Sequence, residues 1–281
     1  HIVSVCLSIG TLGDDVSAIN AVINEVIENH IVVVIAAGNN GIEGSEPFNK
    51  LGRNKNAIVV GAINDKDQIT SYSSMGVDGD GNNLKPDLVA PGGSAIPGGR
   101  SIISADSKSD DATAAYGTSI STAIVSAAIN LLIDAKWGTW TEWNNQDLSK
   151  LAKTLKAILL MTATETNLER EDDPKTDIDE SNYSPSLYSG LSNSLKDEHE
   201  GYGRMNIQAA IDALTKNIEI NQSINNNLTS SEINPLGNHA YARKISLQEN
   251  IQYLFNLTDV DENADFDIFL FSNESNQFGE P

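Results

Sequence analysis

Apolar residues come in short dense runs near the start of the chain, in one long run near its middle, and in alternating positions near its end. The run Ile2-Val3-Ser4-Val5-Cys6-Leu7 predicts a buried strand, with Cys6 as a small core residue. Asp14 and Asp15 follow as N-cap candidates. Ile19, Val22, Ile23, Val26 and Ile27 then recur at three- and four-residue spacing, the stripe of an amphipathic helix. Residues 31–37 (IVVVIAA) are β-branched and unbroken, so this strand has both faces covered. Strand, helix, strand in this order is a βαβ unit, which favours a parallel sheet with a right-handed crossover.

Residues 57–63 (AIVVGAI) predict a third strand and Ile69 to Ser73 a shorter one. Leu88-Val89-Ala90 stops at Pro91-Gly92-Gly93, and Ile102-Ile103 stops at Ser104. From Ser119 to Ala135 the pattern is helical and apolar or small almost all round, which places that helix inside a domain. Residues 148–162 predict another helix and Met205 to Leu214 a last one, separated by the acidic, irregular stretch 164–203. After Ile218 the pattern changes. Asn221 to Asn238 is Asn/Ser-rich, like a linker. Residues 244–247, 251–257 and 266–271 then alternate at period two. The expected fold is α/β, a mainly parallel sheet flanked by helices over residues 1–216. A linker over 217–239 and the start of an incomplete antiparallel β-domain over 240–281 follow.

Composition narrows the function. Eighteen Lys+Arg stand against 39 Asp+Glu, a net charge of −21. Nucleic acid and anionic membrane carry the same sign, so neither is an expected partner. No apolar run reaches about 18 residues, so no membrane span is expected. The single cysteine excludes an internal disulfide. Neither a G-x-G-x-x-G after the first strand nor a G-x-x-x-x-G-K-[ST] loop is present, which argues against a nucleotide-binding domain.

Two segments carry candidate chemistry. In Gly117-Thr118-Ser119, a serine opens a buried helix. Such a residue is either an ordinary cap or a nucleophile at the positive end of the helix dipole, beside N–H groups with no intrahelical partner. In Ala36-Ala37-Gly38-Asn39-Asn40-Gly41, a buried strand ends in residues that tolerate left-handed backbone. Here the alternatives are a plain turn or a flat wall, with the Asn39 amide donating to an oxyanion. Ser8-Ile9-Gly10 ends the first strand, as a plain strand end or as an edge that pairs with an extended peptide. Lys85 to Gly92 reads as mostly structural.

Together and in this order, these segments resemble the subtilisin-like serine proteases. The family's Gly-Thr-Ser-x-Ser stands as Gly117 to Ser121, its Ala-Ala-Gly-Asn as Ala36 to Asn39, and its Pro-Asp-(x)-x-Ala-Pro-Gly stretch as Pro86 to Gly92. Ser8-Ile9-Gly10 matches its Ser-Leu-Gly substrate edge. The resemblance implies a subtilisin-like fold and a serine endopeptidase, with Ser119 as nucleophile and Asn39 as oxyanion donor. Ser8, Ile9, Gly10, Ala36, Ala37 and Gly38 would line the cleft of a polypeptide substrate. It also implies a secreted or cell-surface protein whose signal region lies outside this sequence.

The family's triad needs an aspartate and a histidine upstream of residue 1, so the chain alone is expected to be inactive. The alternative is a non-catalytic pseudoprotease that binds peptides. His30, His199 and His239 are expected to be surface residues, and His1 opens a strand without the family's His-Gly-Thr context. Ala123 and Ala127 stand where the family usually has Pro and Gly, Ala127 facing a close helix–sheet approach. No metal ligand is assigned. Calcium is the one cofactor weighed, at Asp78-Gly79-Asp80-Gly81-Asn82 and at Asp259 to Asp267, against solvated turns as the alternative.

Overall fold

A computed structural model of the chain describes residues 2–11, 15–41, 48–77, 84–138, 150–164, 166, 196, 199–229, 239–258 and 268–272. In chain order the strands are β1 (Ser4–Leu7), β2 (Val32–Ala36), β3 (Ile58–Ile63), β4 (Gly76–Val77), β5 (Leu84–Lys85), β6 (Leu88–Pro91), β7 (Ile102–Ala105), β8 (Ala112–Ala115), β9 (Asn217–Ile218) and β10 (Lys244–Ile245). The helices are α1 (Ser17–Glu28), α2 (Thr118–Trp137), α3 (Leu151–Met161) and α4 (Ile207–Thr215), with a 3-10 turn at Lys50–Arg53.

The four long-range strands form one parallel sheet in the order β1-β2-β3-β6. The register runs Ser4 to Val32, Val34 to Ile58 and Val60 to Leu88. β2 and β3 are buried at every position, as expected of strands covered on both faces. The α/β architecture read from the βαβ pattern is therefore the one observed. α2 packs against all four strands and against α4. It presents Val125, Ile129 and Leu132, all fully buried, to a core shared with Ile23, Ile27, Leu155 and Leu159. Over 18 residues α2 is also apolar and long enough to cross a membrane, a length the apolar-run reading missed. Its place against the sheet makes it the core helix.

Several local expectations change. Cys6 is exposed, not a core residue. β1 is an edge strand, and Cys6 shares its face with Ser4 and Ser8, which meet α2 at Ser126 and Ser119. The opposite face puts Val3, Val5 and Leu7 on the core. An apolar run marks a strand but does not say whether it is central or at the edge. On α2, Ala123 and Ala127 lie on the exposed side, so Ala127 does not sit at a close helix–sheet approach. The α1 stripe is narrower than the spacing predicts: Ile23 and Ile27 are buried, Ile19 and Val22 exposed. Val16, not an aspartate, is the N-cap of α1. Asp15 instead accepts hydrogen bonds from the Ser17 N–H (2.9 Å) and hydroxyl (2.6 Å). Ile69 makes only an isolated bridge to Ile63.

At the far end of the chain, β10 pairs in parallel with β9 directly after α4. Arg243 lies over the Tyr241 ring and donates to Asp212 of α4 at 2.6 Å. Residues 251–258 and 268–272 form no strand, and Leu254, Phe255 and Leu270 are exposed. Period-two alternation becomes a strand only where a partner edge supplies the ladder, and the described residues offer none here.

Candidate active site

The site grows out of two chain ends of the sheet. β2 leaves the sheet at Ala36, and Ala37 stays buried against Phe48 and Val59. Gly38 follows with φ 115°, a backbone region that side chains rarely adopt. A Cβ there would stand 3.0 Å from Ser74 Oγ. Only glycine makes this turn, and the turn brings Asn39 out beside the start of α2.

The helix start is pinned from below. Gly117 donates from its N–H to the Gly92 carbonyl (2.9 Å) and to the Tyr72 hydroxyl oxygen (3.1 Å), while Ser121 Oγ donates to the Ala90 carbonyl (2.9 Å). The N-cap Gly117 has φ 138°, and a Cβ there would stand 3.1 Å from Asn39 Nδ2. Thr118 ties the two segments together. Its N–H (2.9 Å) and its hydroxyl (2.8 Å) both donate to Asn39 Oδ1, and its Oγ1 accepts from the Gly38 N–H (3.2 Å). A backbone N–H can only donate, so the Asn39 oxygen must face Thr118. Its NH₂ is left without an acceptor among the described residues.

Ser119 is the second residue of α2. Its Oγ makes one hydrogen bond, a long one of 3.4 Å to the Ser8 carbonyl, and the Ser8 hydroxyl donates back to the Ser119 carbonyl at 3.0 Å. The neighbouring first-turn N–H groups are taken: Thr118 by Asn39, Ile120 and Ser121 by the Gly117 carbonyl. The Ser119 N–H has no partner among the described residues, as expected for a first-turn amide. Two donors, one side-chain and one backbone, therefore stand at the positive end of α2 without an acceptor among the described residues.

A cleft of about 400 Å³ opens here. Ser8, Ile9 and Gly10 form one wall, Ala36, Gly38 and Asn39 the other, and Ser119 closes one end. The structure thus brings together all the expected site residues except Ala37, whose side chain lies behind the wall. Among the described residues no histidine lines the cleft. His30 ends α1 with φ 68°, and His199 is half-buried elsewhere. His239, expected on the surface, is half-buried, with Nδ1 against the Arg204 guanidinium, which also pairs with Asp67. His1 and both calcium candidates lie outside the described residues. Among the described residues no group of His, Cys, Asp and Glu suits a metal ion.

The sequence model of the subtilase family, peptidase S8, matches residues 2–203, well over half of the chain. The chain belongs to the subtilase family. It is 32% identical over 136 residues to subtilisin NAT of Bacillus subtilis subsp. natto and to subtilisin E of Bacillus subtilis strain 168; each match covers 47% of this chain and 30% of the relative. A subtilisin of Bacillus pumilus matches at the same identity over 42% of its length. The chain thus spans less than half the length of the curated relatives it matches. The structure of the prenylagaramide maturation protease PagA superposes with a TM-score of 0.51 at 22% identity, covering 75% of this chain and 62% of that one, which supports the fold. The family that the sequence model describes is one of serine peptidases.

Within this subtilase, the sequence marks the donors, and Thr118 as part of the Gly117-Thr118-Ser119 segment, but not the supporting contacts that hold them. Thr118, Tyr72 and Asn49 are ordinary residue types in ordinary places along the chain. Their partners stand 79, 45 and 40 residues away. Only an invariant pairing across those distances could have marked them.

Proposed function

We propose that this subtilase segment supplies the nucleophile and the oxyanion site of a serine endopeptidase. Ser119 Oγ attacks the scissile carbonyl carbon, and its proton passes to a base and then to the departing amine. Water then hydrolyses the ester on Ser119. The negative charge on the carbonyl oxygen in each tetrahedral intermediate is met by the Asn39 amide and the Ser119 N–H. An extended peptide lies between Ser8–Gly10 and Ala36–Gly38, using strand-like pairing to hold its backbone. The observation that carries this reading is the orientation of Asn39. Thr118 occupies its oxygen and leaves its NH₂ without an acceptor among the described residues, in a cleft that Ser119 also lines.

The base is proposed to come from a segment outside this sequence. In support, Ser119 Oγ has no basic partner among the described residues. β1 has β2 on one side only, and the Ala123–Ala127 side of α2 next to it is exposed. Such a segment would cover this corner. We place the protein outside the cell or on its surface, where a subtilase core without disulfides needs only its size for stability.

A fluorophosphonate probe tests the assignment. The 281-residue chain should label at Ser119 at a negligible rate, because an unassisted serine hydroxyl is a weak nucleophile. A protein extended to the length of its relatives should label at Ser119 rapidly and stoichiometrically. Labelling of a different serine, or rapid labelling of the short chain, sinks the reading. Peptide binding by the longer protein with no labelling at all would point instead to a non-catalytic scaffold.

A further inference from the structure

The floor of the cleft holds a polar side chain that the reaction does not use. Asn49 is 7% exposed and lies between the two walls. Its Nδ2 donates to the Ile9 carbonyl at 2.9 Å and to the Ala36 carbonyl at 2.8 Å. Its Oδ1 accepts from the Leu51 N–H at 3.1 Å, which caps the 3-10 turn, and its own backbone N–H donates to the Ala37 carbonyl at 2.8 Å. Both amide hydrogens are thus committed, one to each wall. Nothing is left to donate to a substrate.

We propose that Asn49 is a positioning residue, a clamp that holds the Ser8–Gly10 wall and the Ala36–Gly38 wall at a fixed separation. The first wall needs such a clamp because it lies beyond the end of an edge strand. β1 pairs with β2 only as far as Leu7, so the sheet ladder does not reach Ile9. Among the described residues, the other hydrogen bonds from that wall to the rest of the fold are the two between Ser8 and Ser119. A cross-link from the turn below therefore sets where the Ile9 backbone stands relative to Gly38. Fixing both walls before a peptide arrives removes an ordering cost from binding. This inference rests on the cleft being the peptide site.

Backbone ¹⁵N relaxation on the 281-residue chain tests the clamp without requiring activity. In the parent, amides 8–10 and 36–39 should be rigid, with order parameters near about 0.85. In Asn49→Ala, amides 8–10 should fall below about 0.6. The control is Asn54→Ala, which removes another buried asparagine, one tied to Asn20 and Asn24 on α1. It should leave the walls rigid. If Asn49→Ala does not fold, Asn49→Asp keeps the size, cannot donate when ionised, and should loosen the same amides. Walls that stay rigid in the variants, or that are already mobile in the parent, overturn the clamp. In the longer protein, Asn49→Ala should lower kcat/KM by up to about 10²-fold, and a clamp predicts that KM carries most of that loss. A fall confined to kcat also overturns it. A longer protein that never acylates Ser119 instead refutes the peptidase reading and leaves the relaxation result standing.

Discussion

Where β2 and β6 leave the sheet, the polar groups are exposed or half-buried, uncharged and only partly satisfied: Ser119 Oγ with one long bond, Asn39 with a spare NH₂. Where β3 and β6 enter it, the groups around Asp87 are buried, charged and paired with one another. Asp87 is fully buried. It accepts from Lys85 Nζ on both oxygens at 2.7 Å, from Lys196 Nζ at 2.8 Å and from the Val59 N–H at 2.8 Å. Although burial opposes ionisation, the surrounding lysines, with Lys156 also contributing, hold its carboxyl far below the usual carboxylate range. Lys85 is lowered from its ordinary value to about 7 by burial, only partly offset by Asp87 and lowered further by Lys156 and Lys196. One end of the sheet spends its polar capacity on holding strands together. The other keeps some in reserve, which is what a site for developing charge requires.

That contrast can be broken by exchanging loss of activity for loss of stability. The largest effect is expected at Ser119. In the longer protein, Ser119→Ala should lower kcat by about 10⁴- to 10⁶-fold. Urea unfolding should be unchanged, since Ser119 supports only the contact with Ser8. A marked drop in the midpoint would place the residue among the supports instead. At the opposite end, Asp87→Ala should destabilise by about 3–5 kcal/mol, because two buried ammonium groups lose their shared carboxylate. Chemical denaturation measures it, and kcat per folded molecule should hold. Asn39→Ala should cost about 10²- to 10³-fold in kcat with little change in KM, the loss that removing the corresponding amide causes in subtilisin itself. A change in KM alone would make Asn39 a ground-state contact.

The smallest effect is a dependence on pH. Lys85 titrates near 7 when folded and near about 10.4 when unfolded, so between those values the unfolded chain binds more protons and stability rises with pH. The depressed Asp87 acts in the same direction over an acid window: its contribution is complete above the usual carboxylate range and is lost progressively as the pH falls through and below that range. Thermal midpoints of the parent minus those of Lys85→Met should therefore increase from pH 7 to pH 10. A flat difference would mean that Lys85 keeps its proton throughout.

How much of this was legible follows the range of each interaction. β2 and β3 declare themselves because burial on both faces writes an unbroken β-branched run. α2 does so because its apolar girth has no other use in a folded domain. The β7–β8 hairpin is almost unreadable: Ala112-Thr113-Ala114-Ala115 is small and mostly exposed, and only pairing with Ile102–Ala105 makes it a strand. Cys6 was misplaced because strand patterns do not encode edge position. Ser119 and Asn39 could be named from a resemblance across four segments. What ties their two segments together is the Thr118 bridge, a contact between residues 79 apart. Lys85 and Asp87 looked merely structural, and they are; that Lys196, 109 residues further on, completes the set has no local signal.

The pairing of β9 with β10 turns residues 219–243 into a closed ring of chain. Its two ends are fastened by the Lys244 N–H on the Lys216 carbonyl at 3.1 Å. The free energy of closing such a ring grows only with the logarithm of its length. Doubling it costs about 0.6 kcal/mol. Residues 222–228 within the ring have neither helix nor strand and are mostly exposed, so material added there lengthens the circumference without moving either fastened end. Among the described residues, 222–228 are therefore a place where added length costs little. It is also where an epitope or a reporter domain could be spliced in while the cleft, the lysine cluster and the tail beyond Lys244 keep their places.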